Sequence, residues 1–309
     1  MRTWPVLALL LVAMMWGGHA VVGKAVEAQM SPTVLTFWRF FFGALCYAPW
    51  WGRFRNLWKW SGRLKLQLVG AALCSSVIYP LFYYSALRTL SPVASLLFVN
   101  TAPLIAAILS RVLYKERIGL LGYVGMLISF CGVLVLVASE WAGHLSAHGI
   151  VFVLIGTVAF ATYTVLSRPL FAHAGLFDVL VGTSVLGSVM LFFIVPFLVS
   201  PHKMWTQLTS LTMGGWLEFA YVVVIVSTVA YVLYGFGLRR LPSGIAAALT
   251  FYPQALFGAL LQWLWLGIRP TVTLAIAGLF ILGGTAVLRL AEHRRSSAAA
   301  HVNSDAKVV

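Results

Sequence analysis

This chain is poor in acid. Seven Asp and Glu residues serve 309 positions, and charged residues make up 9% of the whole, against about 25% in a soluble domain. So few acids cannot solvate the surface of a soluble fold of this size. Cysteine is scarce as well, and Cys46, Cys74 and Cys131 all fall within apolar runs. That excludes a disulfide framework, and no CxxC pair offers a zinc site, so free, buried thiols are expected. There is no GxSxG, no HExxH, no P-loop and no pair of acids. An enzyme needs a buried nucleophile with its base, so enzyme chemistry, cofactors and a metal centre are not expected.

Apolar residues are what the chain has, at 61% of the total. A bilayer core needs about 20 mostly apolar residues per helix. Ten stretches qualify: 4–23, 33–52, 66–86, 92–113, 119–139, 148–167, 178–199, 216–236, 244–266 and 271–290. The expected fold is an all-α polytopic membrane protein of ten transmembrane helices. The first stretch has the ingredients of a signal peptide: Arg2, an apolar core and Gly18-His-Ala20 as a cleavage site. Against that, Trp16…Gly23-Lys24 returns as Phe160…Ser167-Arg168, eight residues apart in both, which argues for a retained helix.

The net charge of +14 would suggest nucleic acid in a soluble chain. Here placement explains it. Sixteen of the 21 Lys and Arg residues fall on alternate connections: Arg2, then the 53–65 and 111–117 groups, Arg168, Arg239 and Arg240, and the residues from Arg289 onward. Only Lys24, Arg88, Lys203 and Arg269 fall on the other side, with Arg39 inside a helix. Positive residues stay on the cytoplasmic side. Both termini are therefore expected in the cytoplasm, with anionic lipid rather than nucleic acid as the basic surface's partner. Residues 4–139 and 148–290 hold five stretches each, so the second half enters from the opposite side as an inverted repeat. The remainder, 291–309, lacks an apolar period and is expected to be a disordered cytoplasmic tail.

One motif occurs in both halves. Arg88-Thr-Leu-Ser-Pro leads to Pro103, and Arg239-Arg-Leu-Pro-Ser leads to Pro253. Each reads as a charged turn followed by a helix with an internal proline. Such a proline costs about 3 kcal/mol in a soluble helix but is tolerated in a membrane bundle. A kinked helix at matching places in two halves points to a transport site, with Pro103 and Pro253 as hinges.

With Trp16-Gly17, Lys24, Ser31-Pro32, Arg39-Phe40, Lys115-Glu116-Arg117, both proline motifs and the Gly-rich fifth and tenth stretches, the chain resembles the EamA-like drug/metabolite transporters. The resemblance runs from about 4 to 290. It implies ten helices, alternating access, and movement of amino acids, metabolites or lipophilic compounds, often outward. It also implies that helices 1–4 and 6–9 enclose the cavity while 5 and 10 support it. One departure stands out: Ile268-Arg269 replaces the second Glu-Arg pair, so Glu116 has no partner by symmetry.

The residues expected to bind substrate are Trp16, His19, Arg39, Tyr79, Tyr83, Asn100, Tyr231, Tyr252 and Gln254. Trp16 and His19 would wall the cavity beside small Gly17, Gly18 and Ala20, with proton carriage by His19 as the less favoured role. Arg39 must face the interior, because a charge there costs about 2.5–3.5 kcal/mol on insertion scales. It would either bind a substrate carboxylate, or cap helix carbonyls and pair with Glu27; Thr183 occupies its counterpart position. Asn100 and Gln254 flank the prolines among tyrosines that also include Tyr84 and Tyr234, a mixture suited to an amphipathic or aromatic solute. Glu218 reads as a solvated helix start. Glu140, His144 and His148 have ligand spacing but read as a wet turn. Gly125, Ser129, Gly132, Gly278, Gly283 and Gly284 read as packing positions.

The function expected is a secondary transporter, or permease, of small organic solutes, working as an exporter in a cell membrane of the bacterial inner-membrane type. An uptake permease or facilitator is the alternative, and a membrane receptor or enzyme the different class. Partners are a small-molecule substrate and the bilayer, with proton coupling as a default and the protein a monomer or homodimer.

Overall fold

A computed structural model describes residues 3–90, 92–116, 118–138, 146–267 and 272–305. Every regular element among them is helical. They are α1 (Thr3–Gln29), α2 (Pro32–Cys46), a 3₁₀ segment (Ala48–Lys59), α3 (Gly62–Leu87), α4 (Pro92–Val99), α5 (Ala102–Tyr114) and α6 (Leu120–Ala138). The second half continues as α7 (Ala147–His173), α8 (Leu176–Leu198), α9 (Pro201–Thr209), α10 (Met213–Leu238), α11 (Ser243–Leu266) and α12 (Val272–Asp305). Six of these are long and apolar enough to cross a membrane: α1, α3, α7, α8, α10 and α11. The apolar parts of α2, α5, α6 and α12 are shorter.

Local chemistry sets the boundaries. Ser31 precedes Pro32 and Ser200 precedes Pro201, so each proline sits where its missing N–H costs nothing. Ser61, Ser146 and Thr212 cap α3, α7 and α10 through backbone N–H groups. The second apolar stretch, expected to reach residue 52, ends as α-helix at Cys46. Pro49 follows, and a tighter helix carries Trp50, Trp51, Trp58 and the basic residues Arg53, Arg55 and Lys59. Trp50 stacks on Phe177 at 4.5 Å and 5°. At the other end α12 continues to Asp305, through residues read from sequence as a disordered tail. Ala298-Ala-Ala300 supplies helix propensity there without any apolar face.

The two proline helices differ. In the first half the helix breaks at Asn100 and Thr101, and Pro103 sits in the first turn of the new helix α5. Side chains reinforce the last turn before the break: Asn100 Nδ2 donates to Leu96 O at 2.7 Å, and Thr101 Oγ1 to Phe98 O at 2.7 Å, carbonyls that also accept backbone N–H groups. In the second half α11 runs unbroken through Pro253. Short polar side chains compete with the helix ladder, and counted back from the prolines Asn100-Thr101 matches Thr250-Phe251, two such residues against one.

Two helices also carry a widened turn, of the i→i+5 type, at matching places: Leu73–Ile78 in α3 and Tyr221–Val229 in α10. In α10 the Ser227 and Thr228 hydroxyls donate to the carbonyls five residues back, Val222 and Val223, at 2.7 and 3.0 Å. Such bulges cluster at functional sites.

The halves pack crosswise. α1 lies on α10 and α11, while α7 lies on α3, α4 and α5; α2 meets α8, α5 meets α11, and α6 meets α12. Glycines permit the closest approaches. A Cβ on Gly17 would sit 2.7 Å from the Gln254 carbonyl, and one on Gly132 2.7 Å from the Ala277 carbonyl. Of the predicted packing positions, Gly125, Ser129, Gly132 and Gly284 lie in the α6–α12 seam, with Ser129 Oγ donating to Ile281 O at 3.3 Å. Gly283 faces open space and Gly278 makes only ordinary contact. The thiols are free as expected, but Cys131 is exposed, and Cys46 and Cys74 only half-buried. In a bilayer-facing fold an apolar run has an outside as well as an inside.

Candidate functional site

Arg39 is the charge at the centre. It lies on α2 and is 1% exposed. Its Nε donates to Ser227 Oγ on α10 at 2.6 Å, and Nη1 donates to Tyr84 Oη on α3 at 2.9 Å. His19 Nε2 on α1 is 2.7 Å from the same Tyr84 hydroxyl and 3.4 Å from Nη1. The Tyr84 hydroxyl accepts from Arg39, so its own proton goes to His19 Nε2, leaving Nδ1 to carry the ring proton. Ser227 accepts from Arg39 and donates to Val222 O, so its hydroxyl is satisfied in both directions. The pairing of Arg39 with Glu27 considered from sequence is not made: Glu27 lies 3.2 Å from Arg88 instead. Thr183, the counterpart of Arg39, only bonds back to its own helix at Val179 and Leu180. No carboxylate contacts His19 among the described residues, so the acid a proton relay needs is not at hand.

Around this polar knot is a shell of rings. Trp16 meets Phe160 at 5.3 Å, Tyr231 at 5.8 Å, Tyr234 at 5.2 Å and Phe251 at 5.7 Å. Its indole N–H donates to Val226 O at 3.2 Å, inside the widened turn of α10. His19 stacks on Tyr83 at 5.7 Å, Tyr83 touches Tyr79 at 5.5 Å, and Tyr79 meets Phe160 at 4.8 Å. Tyr163 joins through Phe160 and Tyr231.

The structure thus brings six predicted residues into one cluster: Trp16, His19, Arg39, Tyr79, Tyr83 and Tyr231. Asn100, Tyr252 and Gln254 are buried but stand apart from it, and each keeps an unpartnered oxygen. Asn100 turns its amide onto its own helix at Leu96, and on α11 it is Phe251, one residue earlier, that touches Trp16. Sequence reading missed Ser227 and Tyr163. A serine in a valine-rich run carries no signal, whereas Tyr163 sits on α7 where His19 sits on α1. Glu140 and His144 lie outside the described residues, and His148 is exposed at the start of α7.

Two further polar knots lie between the halves or at their turns. Lys24 Nζ donates to Leu87 O and Leu90 O at 2.9 and 3.1 Å, beside Glu27 and Arg88. Arg168 Nε donates to Leu241 O at 3.0 Å, and its Nη1 to Glu116 Oε1 at 2.6 Å. Glu116 also accepts from the Ser243 backbone N–H at 3.0 Å and its hydroxyl at 3.2 Å. Glu116, left without a partner by symmetry, therefore has two across the repeat boundary. Leu90 and Glu116 are separated by α4 and α5, about 35 Å of helix at 1.5 Å per residue. That length of helix is comparable to a bilayer core.

Two apolar clefts open on the flank of α1. One of about 270 Å³ is lined by Gly18, Val22, Glu218, Tyr221 and Leu261, and one of about 570 Å³ by Trp4, Leu11, Leu176, Phe236 and Phe257. None of the predicted site residues lines either.

A sequence profile of the EamA-like transporter family matches residues 3–138 and again 147–290. The chain belongs to that family. The second match begins where α7 does, so each half carries the family's unit by itself. An uncharacterized transporter of Bacillus subtilis, YwfM, is 24% identical over 303 residues, 96% of this chain and 98% of that protein. An uncharacterized transporter of Archaeoglobus fulgidus is 24% identical over 93% of this chain and 98% of its own length. A third, YdfC of Bacillus subtilis, is 26% identical over 200 residues, and there the match spans 64% of this chain and 62% of the relative. A crystal structure sharing 22% identity superposes with a TM-score of 0.72 over 94% of this chain and 99% of the other, a likeness of fold. Membership makes this EamA-like protein a multi-pass membrane transporter.

Proposed function

We propose that this EamA-like protein is a secondary transporter of small organic solutes, such as amino acids or other metabolites, exporting them across a cell membrane by alternating access. In this reading ten helices form two inverted five-helix repeats, both termini face the cytoplasm, and the Arg39 cluster holds the solute at mid-depth. The observation that carries the reading is the pair of matched clamps. Lys24 follows Trp16, and Arg168 follows Phe160, at one spacing, and each grips the carbonyl at the matching turn, Leu90 or Leu241. Trp16 and Phe160 meet each other at 5.3 Å, where a pseudo-two-fold axis would pass. Two clamps separated by a bilayer's length of helix, with a polar knot between, are the parts that an alternating gate requires.

Topology gives the direct test. Reporter fusions after Lys59 and Arg295 should read cytoplasm, and one near Gly143 the outer face; a cytoplasmic signal at Gly143 removes the inverted repeat. Purified protein in proteoliposomes loaded with a metabolite extract should then exchange at least one solute. No exchange in either orientation would sink the transporter mechanism.

A further inference from the structure

We infer that the Arg39 cluster is a receptor for a carboxylate, and that the solute is an organic acid with an apolar or aromatic body. The inference rests on the central site proposed above and names its substrate class.

The argument is one of unmatched donors. Arg39 is a full charge 1% exposed, and no acid faces it among the described residues. The acids that could have served are engaged elsewhere: Glu27 beside Arg88, Glu116 on Arg168, and Asp178 on Arg53 and Asn56. Glu218 lines the cleft on the flank of α1. The neutral partners Ser227, Tyr84 and His19 occupy Nε and Nη1, and Nη2 donates to no described group. Tyr231 follows Ser227 by one helical turn on the same face of α10, and its buried hydroxyl has no partner. The Tyr163 hydroxyl, also buried and unpartnered, belongs to the ring 5.8 Å from it.

A buried cation without a counter-ion is costly, and a carboxylate supplies both the charge and the flat pair of acceptors that a guanidinium fork matches. Trp16, Tyr79, Phe160 and Phe251 pack on one another beside the cluster and are the apolar groups that the rest of the molecule would have to part and meet. Among the described residues no acid adjoins the cluster to meet an ammonium group, which favours simple organic acids over amino acids and amines.

The test uses purified full-length protein and three probes of one shape: 3-phenylpropionate, its amide, and 3-phenylpropylamine. A panel of smaller and larger monocarboxylates, from benzoate to indole-3-acetate, accompanies them. Carboxylates should raise the melting temperature of the wild type and exchange in proteoliposomes, while the amide and amine do neither. Tyr231→Phe removes a hydroxyl that bonds nothing, so it should fold like the wild type yet bind the best carboxylate roughly tenfold more weakly. Arg39→Gln should abolish binding, and Arg39→Lys should restore part of it. The inference falls if the amine or amide binds as well as the acid, if no carboxylate in the panel binds, or if Tyr231→Phe leaves affinity unchanged. An amine whose exchange is lost in Trp16→Ala but kept in Arg39→Lys would leave the central site standing and remove only the carboxylate. Loss of exchange for every solute in an extract would instead remove the transporter reading.

Discussion

Removing one charge from the knot at Glu116 measures how the halves are fastened. Glu116→Gln keeps the shape but turns one acceptor oxygen into a donor. The carboxylate now accepts from Arg168 with one oxygen and from the Ser243 N–H with the other. Whichever way the amide turns, a donor faces a donor. A hydrogen bond to a charged group contributes about 1.5–3 kcal/mol. The Arg168 side chain is 32% exposed against 8% for Glu116, so water recovers part of the loss. A cost of about 2 kcal/mol follows, or roughly 4 °C in melting temperature for a chain of this size. The comparison is Glu27→Gln at the opposite knot. Glu27 lies 3.2 Å from an Arg88 that is 55% exposed, and its Oε1 makes no aligned hydrogen bond despite the short distance. Glu27 itself is only 5% exposed, but water reaches its more exposed partner and screens the pair, which is worth below about 1 kcal/mol. Melting curves of both variants in one detergent, with Glu218→Gln as an unpaired control, decide the matter. If Glu27→Gln lowers the midpoint as much as Glu116→Gln, the reasoning from burial and bond count is wrong.

The remaining predictions concern seams and hinges. Gly132→Ala should cost about 1–3 kcal/mol through overpacking of the α6–α12 seam, because its Cβ would meet the Ala277 carbonyl at 2.7 Å; Gly283→Ala, with open space around it, should be neutral in the same melting assay. Pro103→Ala and Pro253→Ala should bias the protein toward opposite open states, read by cysteine accessibility from each side in a Cys-free background. The larger shift belongs to Pro103, where the helix is already broken, and equal wild-type behaviour of both variants would make the prolines packing features only. A Ser227→Ala change should destabilise by about 1–3 kcal/mol, since it leaves the buried Arg39 Nε unpaired; unchanged melting would mean that Nε finds another acceptor.

Much of this was legible because the physics is local. Runs of about 20 apolar residues announce helices, and a lone arginine within such a run must turn inward. The Lys24 and Arg168 correspondence also survives in plain spacing. What sequence does not carry is which distant group completes a local need. Arg39 has Glu27 twelve residues back in sequence, on the neighbouring helix, yet its partners are Tyr84 and Ser227, fixed by how α3 and α10 cross α2. The widened turns were illegible for a related reason. They arise where hydroxyls or a proline compete with the helix ladder, as at Ser227, Thr228 and Pro80, and those residues occur in ordinary helices too. The end of α2 at Cys46 was readable in principle from Pro49, but the aromatic run on both sides masks it.

The centre of the molecule separates two requirements that an inverted repeat must reconcile. For the halves to exchange conformations, the frame has to be alike in both. Gly43 packs on Ser227 and Gly187, more tightly, on Ser76, and Lys24 holds Leu90 as Arg168 holds Leu241. For a solute to be recognised, the lining has to be unlike, since a charge repeated about the axis would set two cations against each other in the low dielectric of the core. In the sequence correspondence of the two halves the differences fall at the cluster: Arg39 matches Thr183, His19 matches Tyr163, and Tyr84 matches Gly235, where a Cβ would come within 2.8 Å of the Phe171 and Leu176 side chains. Gly235 therefore cannot become a second Tyr84 without displacing the Phe171 and Leu176 side chains. Installing Arg at Thr183 should therefore cost more stability than removing Arg39, because it adds a second buried cation without a second anion.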